Sequence, residues 1–506
     1  MTLIDGRTID RQLELRCDVV VVGSGPAGSA FAAEASAQGL SVVVVEEGPW
    51  FTPEEAPPSG FTAMSGWYRQ MGASIVAGRT PMPYVQGRMV GGSSPINGAI
   101  CWRLPRDVHD QWLDADPGLD ECLSWESVEA ATDRIEQRLS VAPTDPSVAG
   151  PKNLLMAKGA EALGIEHRPI RRNTSGCRGL GRCIQGCPEG HKLSADRTVL
   201  ADAISTGTTV LSSVTVNRVV HKQGRATAVA ARAASGAPVS ISASEAVVLA
   251  ASAVQTPALL LASGITQGPV GRHFQGHPGV AMAGRFAESV RAWEGATQGH
   301  EVIGLRREGL KFEALGFGLD VLASRMPGTG AGFAARLRDL AHQVEWGAAV
   351  KARAEGRVVL VRGTPVVRYE PAADDLRLFR RGLRVLGELL FAAGAESVEP
   401  GVRGFPAEIR DASELAALEH DGPRSPAAFS AAVTHMFGAT RIGSDPRTSV
   451  VSPRFEHHNV ARLFVCDSSV FPSNTGVNPQ IAIMAVAQLC ARHVAGVPST
   501  TKAATR

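Results

Sequence analysis

Residues 19–22 are uniformly valine and stop at Gly23, the pattern of a parallel strand buried on both faces. An alanine-rich helical segment begins at Pro26, and a second all-valine run, Val42–Val45, ends at Glu46. Residues 107–165 place Trp112, Val128, Ile135, Leu154 and Leu163 at helical intervals, with Pro and Gly at the breaks. From 208 to 251 the chain alternates in places and ends in an apolar run, which predicts strands returning to the first sheet. Between 285 and 400 the pattern changes. Strand-like runs at 358–361 and 365–369 precede an amphipathic helix over 374–392, which predicts a separate sheet-based lobe. A buried strand is predicted at 461–466, followed by a Pro/Ser/Asn/Gly loop and a long apolar helix, Gln480–Val494. Residues 48–92, dense in Pro, Gly, Met and aromatics, predict an irregular lid.

The first strand, helix and second strand together carry chemistry. Gly23 permits the sharp turn out of the strand, Gly25 lets the backbone approach a pyrophosphate, and Gly28 lets helix and strand pack closely. Glu46 stands where a carboxylate accepts hydrogen bonds from a ribose diol. This spacing predicts a dinucleotide site and leaves the choice between FAD and NAD open. The remaining statistics narrow the class. At 506 residues, 44% hydrophobic and 20% charged, the chain has ordinary globular composition and length for two or three lobes. A net charge of +2 gives no reason to expect nucleic acid or an anionic membrane. No apolar run approaches the ~20 residues of a membrane span, and the polar first 16 residues lack a signal core. Eight cysteines in so long a chain are no disulfide framework, so a reduced, cytoplasmic protein is expected.

Four separated segments resemble the glucose–methanol–choline (GMC) family of FAD oxidoreductases. They are the nucleotide turn with Glu46, the turn 87–98 with Gly92, Ser93 and Asn97, the segment 252–265, and the C-terminal stretch from Thr434 through Asp467 to Gln480. In the third segment Thr266 stands where the family usually has glycine. The resemblance implies an α/β protein with a Rossmann-like FAD-binding domain and a second, sheet-based α+β substrate domain. Its implied division is 1–284 for the main part of the FAD domain, 285–404 for the substrate domain, and 405–506 for a part that completes the FAD domain and carries the catalytic pair. It also implies oxidation of a small-molecule alcohol by hydride transfer to flavin N5, with oxygen or another acceptor taking the electrons. His435 matches the family's base, and a histidine can take and hold a hydroxyl proton near neutrality. Asn478 matches the second active-site position; an amide donates to the substrate oxygen and orients it. The implied cofactor contacts further include Pro479, Gln480, Asp467 near the ribityl chain, Asn97 beside the isoalloxazine ring and the backbone of Val216 at adenine. His277 recurs in the family and reads as structural. Some members attach FAD covalently through a histidine where this chain has Ile96, so non-covalent FAD is expected.

Cys177, Cys183 and Cys187, spaced x5 and x3 with Pro188 after the last, resemble an iron–sulfur run. The C-x2-C spacing of ferredoxin and zinc sites is missing, and no fourth cysteine lies nearby. The expectation is a structural loop over 173–198 with no metal. Within the resemblance, long-chain alcohol oxidases and their bacterial relatives are the nearest subgroup, which points to a fairly apolar alcohol. Rival readings are a flavin-containing lyase or photodecarboxylase, a non-catalytic flavoprotein subunit, and an NAD enzyme.

Overall fold

The computed structural model describes residues 2–326 and 328–496. Two sheets organise it. The first runs, in spatial order, Thr2–Asp5, Thr209–Ser212, Val42–Val45, Leu13–Val22, Pro238–Leu249, Arg225–Ala233 and Val214–Lys222, with Leu463–Val465 also pairing to Pro238–Leu249. Its left half, and the added strand Leu463–Val465, are parallel; the last two strands form an antiparallel extension. Val19, Val20 and Val21 are fully buried because helices cover both faces, which is why the run contains no polar alternation. The helix Pro26–Ala37 packs against Gln480–Val494 and Val199–Ser205.

The second sheet follows the order Glu355–Val361, Thr364–Arg368, Ser74–Ala77, Met82–Tyr84, Ala431–Phe437, Arg272–Arg285, Gln343–Val350, Leu310–Leu315, His300–Val302 and His167–Pro169. One face packs on the amphipathic helix Ala373–Ala393, whose Leu383, Leu386 and Leu390 are buried against Val344, Trp346 and Val350. The opposite face is tiled with small residues: Gly279, Ala281 and Ala283 on one strand, Gly347 and Ala349 on the next. Alternating large and small residues therefore builds a core on one side and leaves space on the other.

The predicted helices over 107–165 appear as Arg106–Ala115, Trp125–Arg138 and Pro151–Ala162, and the strand expected at 19–22 begins earlier, at Leu13. Division by sheet departs from the contiguous division 1–284, 285–404 and 405–506. The second sheet also takes strands from 74–84, 167–169, 272–285 and 431–437, so the block from 405 serves both sheets. The lid region 48–92 is also more regular than its composition suggests. It holds the helix Gly60–Trp67 and two strands of the second sheet, while its Tyr68 and Gln86 line the cavity described below. Short strands with Pro and Gly around them carry too few residues to show a period. Among the described residues, no helix is long and apolar enough to cross a membrane.

Candidate active site

A cavity of about 1780 Å³ lies between the two sheets. Of the residues singled out for the cofactor, Gly23, Gly25, Glu46, Gly92, Ser93 and Asn97 line it from one side. Val216, Asp467, Pro479 and Gln480 line it as well, as do His435 and Asn478. Gly28 does not, and its role is packing: a Cβ there would sit 1.9 Å from the Gly23 carbonyl oxygen.

The nucleotide turn and the turn at 87–98 are built against each other. Gly23 has φ +98, and Gly92, at φ +59, would place a Cβ 2.8 Å from the Gly25 Cα. A Cβ on Gly25 would meet nothing closer than the Gly92 Cα at 3.9 Å, so its open side faces free space at the start of the helix Pro26–Ala37. Backbone amides and open space at a helix N-terminus fit a pyrophosphate. The Ser24 hydroxyl accepts from the Gly91 N–H at 3.1 Å and donates to Glu46 at 2.8 Å, tying the two turns to the acidic residue. Glu46 also accepts from the Ser24 N–H at 3.0 Å and the Gly48 N–H at 2.9 Å. Burial pushes its carboxyl pKa up despite those donors. Glu47 is engaged by Arg69 and Arg88.

The other cofactor candidates are held just as firmly. Asn97 donates to the Gln480 side chain at 2.5 Å and accepts from the Ala99 N–H at 2.9 Å. Ser93 accepts from the Gly87 N–H at 2.9 Å. Val216 sits at an irregularity in its strand pairing, between Val216 and Arg218. Asp467 accepts from the Ser252 N–H at 2.9 Å, the Thr256 hydroxyl at 2.5 Å and the Ser469 N–H at 2.8 Å. It fixes the cavity wall at Ser252, whose φ of +98 is unusual for a side-chain-bearing residue.

His435 approaches the cavity from a strand and Asn478 from a loop. His435 lies on Ala431–Phe437 in the second sheet, opposite His277. Their Nδ1 atoms are 2.9 Å apart, so one ring donates and the other accepts. If His435 is to take a proton at Nε2, its Nδ1–H donates to His277. His277, read from sequence as structural, thus touches the candidate base directly. Asn478 ends the loop before Gln480–Val494. Upstream, Asn474 pins that loop to the strand bearing His277, through Gln275 at 2.7 Å and the Gly276 carbonyl at 2.8 Å. Behind Asn478, Lys311 donates to its Oδ1 at 2.8 Å. Sequence reading missed Lys311, and the available signal was its position among apolar residues in Leu310–Leu315.

Burial, and secondarily the charge on Lys311, push the His435 pKa down to about 3. His277 is also held well below the usual histidine value by burial and by His435. His300 and His457 are each pushed down to about 4, chiefly by burial. All four are neutral in the fold at pH 7, whereas the unfolded chain protonates them near 6.5. Their stabilising contribution is therefore complete above pH 6.5 and is lost as pH falls toward 4 and then 3. The buried His300 and His457 each cost about 1.4 kcal/mol per pH unit between about 6.5 and 4. Melting temperature measured from pH 7.5 to 4.5 should drop steeply below 6.5, and His300→Gln should flatten the slope. A level profile across this range would contradict the burial of these rings in neutral form.

The cysteine loop lies beside the turn at 87–98. Arg172, fully buried, donates to Cys183 Sγ at 3.0 Å and approaches Cys177 Sγ at 3.8 Å, and the Lys192 N–H approaches Cys187 Sγ at 3.3 Å. The Lys192 ammonium bridges the carbonyls of Asn97 and Cys183 at 3.0 and 2.8 Å. Among the described residues no group of three or more His, Cys, Asp or Glu side chains is placed to hold a metal ion.

Comparison with known proteins resolves the family. Residues 17–279 match the N-terminal part of the GMC oxidoreductase family and residues 352–487 its C-terminal part. The chain belongs to the GMC oxidoreductase family. GMC oxidoreductases bind FAD, and the cradle formed by Gly25, Gly92 and Glu46 fits such a dinucleotide. An uncharacterised GMC-type oxidoreductase of Mycobacterium tuberculosis is 36% identical over 93% of this chain and 75% of its own length. A long-chain-alcohol oxidase of Arabidopsis thaliana is 27% identical over 96% of this chain and 68% of its own length. Pyridoxine 4-oxidase from Mesorbium loti shares the fold, with TM-score 0.72 and 19% identity over 94% of this chain and 98% of that one. A fungal aryl-alcohol oxidase does so with TM-score 0.65 and 18% identity over 95% and 99%.

Proposed function

We propose that this GMC oxidoreductase oxidises a fairly apolar alcohol to the aldehyde or ketone, with His435 as base and Asn478 orienting the substrate oxygen. The observation that carries the reading is the convergence of a neutral histidine and a fixed amide on one cavity that also holds the dinucleotide cradle. Bound FAD supplies the hydride acceptor. His435 takes the hydroxyl proton at Nε2, and its Nδ1–H, donating to His277, keeps the ring oriented while it carries the added charge. Asn478 donates from Nδ2 to the oxygen and fixes the carbon that loses hydride. Apolar side chains on the wall, including Leu315, Phe317, Leu322, Leu340 and Phe429, favour an apolar substrate body and exclude water. The long-chain-alcohol oxidase relative supports the same substrate class. Oxygen or another acceptor reoxidises the protein.

FAD is held without a covalent bond in this reading, because Ile96 has no atom for attachment and is packed with Trp67, Tyr68 and Met89. Acid or heat should release free FAD into the supernatant, and anaerobic addition of an alcohol from a chain-length panel should bleach the flavin in the dark. Flavin retained on precipitated protein would contradict the first expectation. Failure of every alcohol to bleach it would favour a lyase, a photodecarboxylase or a non-catalytic flavoprotein. The loop of Cys177, Cys183 and Cys187 is read as structural. Stoichiometric iron and acid-labile sulfide in anaerobically purified protein would reassign it.

A further inference from the structure

Asn478 is bonded from behind by an ammonium that is itself fully committed. Lys311, 1% exposed, donates to Asn478 Oδ1 at 2.8 Å, contacts Glu301 at 2.9 Å and pairs with Glu313. Glu301 and Glu313 face each other in register on adjacent strands, so their carboxylates would repel without a cation between them. The remaining oxygen sites are occupied too. Arg168 and the Trp102 indole N–H each reach Glu301 at 2.8 Å, and Gln298 donates to Glu313 at 2.6 Å. Two cations balance two carboxylates, and the three donors of the ammonium have three acceptors.

A lysine ammonium can only donate, so the Asn478 atom facing it is the carbonyl oxygen, and the NH₂ group takes the other side of the amide plane. Asn478 lines the cavity. We infer that Lys311 is a positioning residue, locking the Asn478 amide with its oxygen inward and its donor toward the substrate oxygen. The role of that donor rests on the alcohol-oxidation reading above; the locking of the amide does not. Apolar side chains would fill the same space without the desolvation cost of four charges, so a packing role alone leaves the network unexplained.

The test has two arms. In protein labelled with ¹⁵N-asparagine, the Asn478 side-chain amide is identified as the signal lost in Asn478→Ala. The two Hδ2 resonances of any primary amide are distinct, because its C–N bond has partial double-bond character. In the wild type they should be sharp and displaced from the free-amide position, because Lys311 fixes the amide about the Cβ–Cγ bond. Lys311→Met/Glu313→Gln, which removes one charge of each sign, should move them to the free-amide position and broaden them, and Lys311→Arg should keep them displaced. Wild-type resonances at the free-amide position, or resonances untouched by the double variant, would overturn the inference. In the second arm, anaerobic flavin reduction by 1-octanol should fall ~10–100-fold in the double variant, the loss expected from a misplaced orienting group. Lys311→Arg should recover most of that loss. In an Asn478→Ala background the same double change should add less than about twofold, since Lys311 then has no amide to fix. Independent, multiplying losses would show that Lys311 acts elsewhere and sink the proposal. A wild type that no alcohol reduces would refute the alcohol reading alone, because the amide spectra still decide the contact.

Discussion

Replacing His435 with alanine is expected to leave the protein yellow while slowing flavin reduction by ~10²–10⁴-fold, the range for loss of a positioned base. His435 sits on the second sheet, away from the glycine cradle and Glu46, so FAD content measured at 450 nm should match the wild type. Anaerobic stopped-flow reduction by a bleaching alcohol gives the rate. Asn478→Asp should also be harmful. The new carboxylate would pair with Lys311 and present an acceptor where a donor is wanted. Wild-type reduction rates in both variants would end the division of labour between base and orienter.

Glu46→Ala should lose FAD and destabilise the protein at the same time. Charge-assisted hydrogen bonds to a ribose are worth about 1.5–3 kcal/mol, or roughly 10–100-fold in FAD affinity. The same carboxylate accepts from the Ser24 N–H, the Ser24 hydroxyl and the Gly48 N–H in a buried site. Stranding those donors costs about 1–3 kcal/mol for each that finds no water. FAD retention after gel filtration and the melting temperature of the apoprotein separate the two effects. Full retention of FAD would move the ribose contact to Glu47, at the expense of its ion pair with Arg69.

The βαβ unit was legible because each of its requirements leaves a mark on residue type. Burial on both faces demands the valine runs, and the turn at Gly23 and the contact at Gly28 exclude a Cβ. The helix Ala373–Ala393 was equally clear, since one apolar stripe against a sheet imposes the helical period over 21 residues. The assembly of the second sheet was not legible. Its strands come from distant parts of the chain, several only three or four residues long, and nothing local states which strand pairs with which. In the candidate site, His435 and Asn478 were found through a resemblance, not through periodicity. His277 and Lys311 act through contacts across 158 and 167 positions of sequence, and a histidine or lysine in an apolar strand does not announce its partner.

His435 rises from the second sheet, the dinucleotide cradle belongs to the first, and Asn478 sits in the loop that runs from the first-sheet strand Leu463–Val465 to the helix Gln480–Val494. Neither half contains a working set of groups. A fragment spanning either sheet, or a chimaera that exchanges one between relatives, would separate the proposed proton acceptor from the proposed oxygen donor unless the junction kept Asn474 seated on Gln275 and Gly276. Evolution of such a protein is correspondingly constrained. Larger side chains at Ala281 or Ala349 would shorten the chamber and shift substrate preference, whereas a Cβ at Gly279 or Gly347 would press on the Ala348 carbonyl or Leu315 at 3.3 Å, and the seam between the sheets would have to be exchanged as one piece.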